Sequence, residues 1–398
     1  MTIQLFDTSE RRVVAFEPGP IVRMYVCGIT PYDSTHLGHA ATYLAYDLLA
    51  RRLEDLGHEV RMVRNVTDVD DSILPKAREL GIPYLELAEA ELARFRADMD
   101  ALGMRPPVAE PRATEAIPGM IEMIGQLLDR DHAYLTHGTV YFDVSTFPRF
   151  GQLSHYSRDH MLRLASARGG RPEDPHRRDP LDFVLWQPSL PDEPAWRAPF
   201  GVGRPGWHIE CSVMSAASLG VPLDLHGGGT DLIFPHHECE IAQSESVTGQ
   251  PFSRHWMHSA MVSYEGEKMS KSLGNLVFIS DLLKTADARA IRLTLMRHHY
   301  RAGFEWYDTD LDEGTALLHR LLVAAARPTG PDPRPFAERV RAALDRDLDA
   351  PRAVEALDDL ASAVLSGGDD PRAPEVLREL GALIGVALDR PVEISTGA

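Results

Sequence analysis

Lysine is nearly missing from this chain of 398 residues: four of its 41 basic residues are lysines, and the rest are arginines. Cysteine is also scarce, and three cysteines are too few for a disulfide framework, so metal binding and catalysis are the roles to consider for them. No apolar stretch reaches the length that spans a bilayer, and the N-terminus lacks the charged-then-apolar pattern of a signal peptide. We therefore expect a cytoplasmic protein that does not associate with membranes.

Acidic residues are in excess, which gives the chain a formal net charge of −18. This charge argues against a broad phosphate-binding surface, but only weakly against a nucleic-acid partner, because a local basic patch can coexist with an acidic total. With 44% hydrophobic and 25% charged residues, the composition is typical of a globular protein with a large core. The length suits two domains.

The pattern of apolar residues predicts an α/β fold. A strand over residues 21–27 is broken at Gly28, and a helix over 37–56 and a second strand over 60–66 follow it. Strand, helix and strand make a βαβ unit of a Rossmann-like, doubly wound parallel sheet. We predict a catalytic domain over residues 1–279, with an insertion of helices and a hairpin over about 76–205, and a C-terminal helical bundle over 280–398.

Two short motifs have the residue types that bind phosphates. His36-Leu37-Gly38-His39 starts the predicted helix, where anions are favoured and two imidazoles can bind phosphate oxygens. Two of the four lysines occur in the pentapeptide KMSKS at 268–272. Lysine is a flexible point charge that can follow a moving phosphate, which the rigid fork of arginine cannot replace. The first motif alone is a weak signal, but both motifs in one chain are a specific pair.

The motif pair resembles that of class I aminoacyl-tRNA synthetases, and four further strings resemble the branch of this family that activates cysteine. These strings are YVCG at 25–28, NVTDVDD at 65–71, GWHIEC at 206–211 and GGGTDLIFPHHECE at 227–240. The resemblance covers residues 1 to about 310. It implies a class I synthetase catalytic domain in which ATP activates the carboxyl group of cysteine as an adenylate.

The resemblance also implies roles for the residues at matching positions. Catalytic roles are implied for His36, His39, Lys268 and Lys271. The implied contacts of ATP, which would bind with Mg²⁺, are Thr35, Gly38, His39, Gly227, Gly228, Gly229, Asp231, Val262, Lys268, Ser270 and Lys271. The implied contacts of cysteine are Cys27, Gly28, Thr30, Thr67, Trp207 and Asp231. The sequence indicates no protein ligand for Mg²⁺.

Spacing alone does not identify metal ligands in this chain. Cys27 ends the first predicted strand, Cys211 lies near the start of a helix, and His236 and Glu240 are four residues apart on one helix face. Isolated buried cysteines are more often small core residues than ligands, so both interpretations stay open from the residues themselves. The resemblance implies that these four residues bind one Zn²⁺ ion, which would select the thiol of cysteine against the hydroxyl of serine.

The acceptor of the activated cysteine distinguishes two branches of the family. Cysteinyl-tRNA synthetases charge tRNA, whereas the mycothiol ligases join cysteine to the amine of glucosaminyl-inositol. The strings ITPYD at 29–33, HAA at 39–41 and GGRP at 169–172 resemble the ligases. The 126 residues after Ser272 leave little room for an anticodon-binding domain, and their acidic character is a poor surface for RNA. We expect a ligase that acts as a monomer on cysteine, ATP and glucosaminyl-inositol, and not on tRNA.

One departure favours the other branch. Glu240 stands in the context EIAQ, which resembles the tRNA enzymes, whereas the ligases leave this metal position to the substrate thiolate. Whether Glu240 is a fourth ligand is therefore left open. The alternatives to the ligase are a short cysteinyl-tRNA synthetase and a paralogue that joins cysteine to another small amine.

Overall fold

The computed structural model describes residues 2–32, 35–269 and 274–392, and the structural statements below refer to these residues. The strands are β1 (Ile3–Asp7), β2 (Arg12–Phe16), β3 (Ile21–Ile29), β4 (Glu59–Val66), β5 (Ala133–Thr136), β6 (Thr139–Phe142), β7 (Phe183–Gln187), β8 (Trp196–Ala198), β9 (Gly201–Pro205), β10 (Leu225–Gly229), β11 (Trp256–Ser259), β12 (Val262–Tyr264), β13 (Glu267–Lys268) and β14 (Phe304–Glu305). The α-helices are α1 (Leu37–Asp55), α2 (Ile73–Leu80), α3 (Tyr84–Ala101), α4 (Ile117–Asp129), α5 (Arg158–Ala167), α6 (Trp207–Leu219), α7 (Glu238–Thr248), α8 (Ile279–Leu282), α9 (Ala288–Met296), α10 (Asp310–Ala325), α11 (Arg334–Asp345), α12 (Ala350–Ser366) and α13 (Ala373–Leu383). Within these ranges, none of the helices has the length and apolar character that crossing a bilayer would require.

A four-stranded parallel sheet, in the order β11-β10-β3-β4, holds the central part of the fold together. In β3, Met24 and Val26 pack into the large core that includes α1, whereas Tyr25 and Cys27 belong to a separate buried cluster. Successive side chains of a strand point to opposite faces, so β3 is covered on both sides, as strands of doubly wound sheets are. The predicted α/β fold with a parallel sheet is confirmed, and Cys27 faces away from α1.

Helix α1 begins where the HLGH motif was expected to start a helix, and its first turn is fixed on two sides. The His36 side chain caps the helix by accepting a hydrogen bond from the backbone N–H of Gly38 (3.1 Å). The backbone N–H of Leu37 donates to the carbonyl of Val277 at 2.8 Å. The motif therefore lies at the positive end of the α1 dipole, beside the segment that follows residues 268–272.

The segment between β4 and α6, which we call the insertion, packs around a core that also includes residues of α6 and α7. Helices α2 to α5 accompany a five-stranded antiparallel sheet in the order β5-β6-β7-β9-β8. Val140, Phe142, Leu185 and Trp186 are fully buried in the insertion core. The sequence indicated helices followed by a hairpin here, and the sheet is larger than that hairpin because three further short strands join it.

Residues 163–167 belong to α5, although the abundance of Arg, Gly and Pro in residues 163–179 is more typical of a surface loop. Ser157 caps α5 by accepting from the backbone N–H of His160 (3.3 Å), and Met161 and Ala165, four residues apart, bury one face of the helix. Residues 168–182 form no helix or strand. We call residues 168–182 the covering segment.

The C-terminal part is helical, as predicted, apart from β14, which pairs in parallel with β12. A two-residue strand leaves no periodicity in a sequence. One hydrophobic core extends from α1 and the parallel sheet into α9 to α13. The buried Arg292 of α9 donates to the carboxylate of Asp47 in α1 (2.5 Å) and to the carbonyl of Ile384 (2.7 Å), which ties α9 to α1 and to the end of α13. The proposed domain boundary at residue 279 stays a prediction.

Candidate active site

The carboxyl end of the parallel sheet is where most of the predicted site residues lie. Strand β3 ends there at Ile29, β10 ends at Gly229, and α1 begins beside them. Ligands of doubly wound sheets bind at this edge, and helix N-termini favour anions there. Three predicted positions lie outside the described part of the chain: Ser270, Lys271 and the side chain of Lys268.

Cys27, Cys211, His236 and Glu240 lie close enough together to bind one metal ion. All four are buried, and their donor atoms lie within 4.8 Å of one another. Cys27 comes from β3 and Cys211 from α6, while His236 and Glu240 come from the turn before α7 and from its first turn. The two sulfur atoms are 3.9 Å apart, and Nε2 of His236 lies 3.5 Å from Oε2 of Glu240.

The spacing and chemistry of this cluster fit a tetrahedral zinc site. Zinc binds sulfur at about 2.3 Å and nitrogen or oxygen at about 2.0–2.2 Å, which puts neighbouring donor atoms roughly 3.3–3.8 Å apart. Two thiols, an imidazole and a carboxylate are donors that zinc accepts. Burial raises the pKa of the Cys27 thiol well above its usual range, so a thiolate at this position is favoured only beside a positive charge.

The ring of His236 is held from two sides. It stacks on Trp207 with ring centroids 4.3 Å apart, and its Nδ1 lies 2.9 Å from Nδ1 of His208. A nitrogen that binds a metal carries no proton, so binding through Nε2 puts the proton of His236 on Nδ1, from which it donates to His208. Trp207, predicted to contact cysteine, thus also orients a candidate metal ligand.

A chain of hydrogen bonds leads to the sulfur of Cys27 from the edge strand β11. Thr8 Oγ1 lies 2.7 Å from Nδ1 of His258, Nε2 of His258 lies 2.7 Å from Nδ1 of His237, and Nε2 of His237 lies 3.3 Å from Cys27 Sγ. The three bonds are satisfied together if Thr8 donates to His258, His258 to His237, and His237 to the sulfur. Burial lowers the pKa of His258 to about 3, which keeps its ring neutral. Thr8 and His258 carry no motif that would have marked them in the sequence.

His226 gives Glu240 a second partner. Its Nε2 lies 3.1 Å from each carboxylate oxygen of Glu240, and both side chains are fully buried. Cys27, His226, His237 and Glu240 form a second group whose donor atoms lie within 4.8 Å of one another. The two groups share Cys27 and Glu240 and so cannot both hold an ion. The first group has two sulfur donors, which favours it for a borderline-soft ion such as zinc.

Three predicted cysteine contacts form hydrogen bonds with, or belong to, the NVTDVDD string. The backbone N–H of Gly28 donates to Oδ1 of Asn65 (2.7 Å), and Nδ2 of Asn65 donates to Oγ1 of Thr67 (3.1 Å). Gly28 has no room for a side chain, because a Cβ there would lie 1.7 Å from the carbonyl oxygen of Asn65. Thr30 Oγ1 donates to Oδ2 of Asp70 at 3.2 Å. Asn65 and Asp70 were not predicted as site residues, although both belong to the NVTDVDD string.

The predicted phosphate-binding histidines are neighbours. The rings of His36 and His39 stack with centroids 3.8 Å apart. Thr35 is buried just before them. Val262 opens β12, and its carbonyl accepts from the backbone N–H of Met269 at 3.1 Å. The start of the KMSKS pentapeptide is thus attached to β12 at the same edge of the fold.

Packing within the protein accounts for at least one glycine of the run at the end of β10. A Cβ at Gly227 would lie 2.3 Å from the hydroxyl of Tyr46, which donates to the carbonyl of Gly228 at 2.9 Å. A Cβ at Gly229 would lie 2.6 Å from Oδ1 of Asp231. Close packing explains the absence of a side chain at Gly227. Contacts of the three glycines and Asp231 with ATP stay a prediction.

Sequence comparison finds relatives over nearly the whole chain. A family model described as "tRNA synthetases class I (C) catalytic domain" matches residues 15–316. An L-cysteine:1D-myo-inositol 2-amino-2-deoxy-alpha-D-glucopyranoside ligase from Thermobispora bispora is 48% identical over 390 residues, which is 98% of this chain and 96% of that protein. A protein of the same name from Mycolicibacterium paratuberculosis is 47% identical over 397 residues, covering 97% of this chain and 96% of its own length.

Structural comparison finds class I synthetase folds. The structure of Mycobacterium tuberculosis methionyl-tRNA synthetase in complex with methionyl-adenylate has a TM-score of 0.64 and 18% identity, and covers 92% of this chain and 89% of that one. A leucyl-tRNA synthetase complex from Agrobacterium radiobacter has a TM-score of 0.62 and 12% identity, covering 95% and 88%. At these identities the likeness concerns the fold alone.

Proposed function

Because this chain belongs to the family of L-cysteine:1D-myo-inositol 2-amino-2-deoxy-alpha-D-glucopyranoside ligases, we propose that it joins the carboxyl group of L-cysteine to the amine of glucosaminyl-inositol. The reaction consumes ATP and releases AMP and pyrophosphate, as a step of mycothiol biosynthesis. Identity of 48% that extends over 98% of the chain supports this activity.

The buried cluster of Cys27, Cys211, His236 and Glu240 is the observation that carries the proposal. Zinc bound there would hold the thiolate of cysteine far more strongly than the hydroxyl of serine. Cys27, Cys211 and His236 would stay bound throughout. Glu240 would complete the ligand set in the absence of substrate, and His226, whose Nε2 lies 3.1 Å from both carboxylate oxygens of Glu240, would hold that carboxylate when a substrate thiolate binds.

In the first step the carboxylate of cysteine attacks the α-phosphorus of ATP. A bond forms between a carboxylate oxygen and phosphorus, and pyrophosphate leaves with the electron pair of the broken P–O bond. Gly28, Thr30, Thr67, Trp207 and Asp231 would hold the amino acid so that its carboxylate points toward the start of α1. His36, His39, Lys268 and Lys271 would stabilise the charge that builds on the phosphates, which reach the site with Mg²⁺.

In the second step the amine of the acceptor attacks the carbonyl carbon of the cysteinyl-adenylate. An amide C–N bond forms, the C–O bond to phosphate breaks, and AMP leaves as the anion while the amine loses a proton. The same carboxyl-edge site serves both steps, because the adenylate stays in place between them.

Small molecules are the proposed partners, and tRNA is not one of them. The relatives named as ligases of a sugar match this chain over 96% of their own length, which supports a small-molecule acceptor rather than an RNA. The C-terminal helices carry acidic residues, and an acidic surface repels RNA. The proposed enzyme is a cytoplasmic monomer.

A transfer assay tests this function. Purified protein, ATP, Mg²⁺ and cysteine are offered glucosaminyl-inositol in one tube and unacylated tRNA-Cys in another, and the products are identified by mass spectrometry. We expect the cysteine amide of the sugar and no charged tRNA. Charged tRNA without the amide would identify a short cysteinyl-tRNA synthetase, and an amide formed only with a different small amine would identify a paralogue of the ligases.

A further inference from the structure

A cavity of about 550 Å³ lies between the carboxyl edge of the parallel sheet and the antiparallel sheet of the insertion. Thr30 and Trp207, both predicted to contact cysteine, form part of its wall, so one end of the cavity opens onto the amino-acid site. The volume falls in the range of roughly 300–1,000 Å³ that is typical of small-molecule pockets. No role assigned so far to the described residues uses the rest of this space.

Strand β6 presents polar groups to the cavity because of its alternation. Val140 and Phe142 point into the insertion core, so Thr139 and Tyr141 point the other way, and both line the cavity. The hydroxyl of Tyr141 donates to Oδ2 of Asp174 in the covering segment at 2.6 Å. This wall therefore presents the carboxylate of Asp174, which the hydroxyl of Tyr141 holds in place.

Several further polar side chains face the cavity from other elements, and two of them are Asp71 and Gln187. Asp71, after β4, forms an ion pair with Arg204 of β9, and the Asp71 side chain remains 70% exposed. Gln187, at the end of β7, is the second. Carboxylate and amide groups accept and donate the hydrogen bonds that sugar hydroxyls and amines make.

The covering segment encloses the cavity and is attached to the active site. The guanidinium of Arg168, at its start, donates to the backbone carbonyls of Asp231 and Phe234, which lie just before His236. Gly169, Gly170 and Arg171 line the cavity beside it. A pocket closed in this way suits a small polar molecule rather than the end of a nucleic acid.

We propose that this cavity binds the polyhydroxylated amine that accepts cysteine, with Asp71 and Gln187 as specificity-determining contacts on two of its walls. The acceptor would lie with its amine toward Thr30 and Trp207, where the activated carboxyl group of cysteine is expected. This assignment rests on the proposed function, since it presupposes a small amine as acceptor. It assigns Asp71 and Gln187 to the second step alone, because neither belongs to the metal, cysteine or ATP positions.

The test separates the two steps in the full-length enzyme. Asp71→Asn and Gln187→Ala are measured for cysteine-dependent ATP–pyrophosphate exchange, which reports adenylation, and for the KM of glucosaminyl-inositol in amide formation. We expect unchanged exchange and a rise of about tenfold in the acceptor KM, which is the loss expected for one hydrogen bond to a bound polar group. The matched controls are Asp192→Asn, which removes an exposed ion pair with Arg78 outside the cavity wall, and Gln126→Ala at a half-buried position of α4. Neither residue lines the cavity, so neither variant should change the acceptor KM.

The outcomes distinguish this assignment from the proposed function. Normal exchange also shows that each variant is folded, and either variant alone is sufficient for the test. A wild-type enzyme that makes the amide, with acceptor KM values unchanged in both variants, would overturn the location of the acceptor site and leave the ligase activity standing. A wild-type enzyme that exchanges pyrophosphate but makes no amide would overturn the proposed function and this assignment with it.

Discussion

Replacing Cys211 with serine is expected to remove the bound metal and to abolish detectable activation of cysteine. Cys211 supplies one of two sulfur donors in the buried cluster, and its sulfur lies 3.9 Å from that of Cys27. A neutral hydroxyl is a poor zinc ligand, so the loss should exceed the roughly 10–100-fold that removing an outer partner of a ligand costs. Zinc per chain, measured by mass spectrometry of the protein after desalting, and ATP–pyrophosphate exchange would both fall together.

The matched control for this variant is Cys239→Ser. Cys239 is also a buried free thiol, and it lies next to Glu240 in α7, but it belongs to neither group of candidate metal ligands. The same exchange of sulfur for oxygen should leave zinc content at the wild-type level there. Full zinc occupancy in the Cys211 variant would remove Cys211 from the metal site.

Replacing Lys271 with alanine is expected to slow adenylation by about 10²–10³-fold while cysteine still binds normally, which is the usual loss when one preorganised charge stabiliser is removed. Lys271 lies outside the described residues, so the prediction stands on the KMSKS motif and on the elements that flank it. Met269, the second residue of the pentapeptide, donates its backbone N–H to the carbonyl of Val262, and Phe278, after the pentapeptide, bridges to His36. Both flanks therefore lie close to the predicted phosphate site.

Pyrophosphate exchange and calorimetric binding of cysteine together measure this effect. Lys284→Ala is the matched control, because Lys284 is an exposed lysine that pairs with Asp281 at the surface. Its exchange rate should stay within about twofold of wild type, since surface ion pairs contribute little. Normal adenylation by the Lys271 variant would contradict the assignment of this lysine to the phosphates.

The parts of the fold predicted most closely are those with strong local signals. The apolar run before Gly28 and the amphipathic segment after His36 correspond to β3 and α1, and α1 starts and ends within one residue of the expected bounds. The expected break of the strand at Gly28 is wrong, because β3 continues through Gly28 to Ile29 with an irregular register between Val26 and Ile29. Five residues assigned to a loop by composition belong to α5, where a serine cap and buried positions outweigh that composition.

The candidate site was less accessible to sequence reasoning, because its residues are distant in the chain. Cys27 and Cys211 are separated by 184 positions, yet their sulfurs are neighbours. Only resemblance to a family could connect them. His226 and His258 lie on buried strands, where a single histidine is not distinguishable from a structural one, so their bonds to Glu240 and His237 became apparent only from the fold.

The position of Glu240 explains how one site can show features of both branches of the family. The carboxylate lies 3.5 Å from Nε2 of His236, close enough to complete a metal site, and 3.1 Å from Nε2 of His226, close enough to be held away from it. The sequence context of Glu240 resembles the tRNA enzymes, but under the proposed function His226 would hold the carboxylate when a substrate thiolate binds the metal.

The most direct test of this account is whether the thiolate of cysteine binds the metal. Zinc is replaced by cobalt, whose thiolate-to-metal charge-transfer absorption grows with the number of sulfur ligands, and the spectrum is recorded with and without substrate. Saturating cysteine should raise that absorption by about half, as two protein thiolates become three in a tetrahedral site, and serine should leave it unchanged. An unchanged spectrum in cysteine, under conditions where the cobalt enzyme still forms the adenylate, would contradict selection of cysteine through the metal.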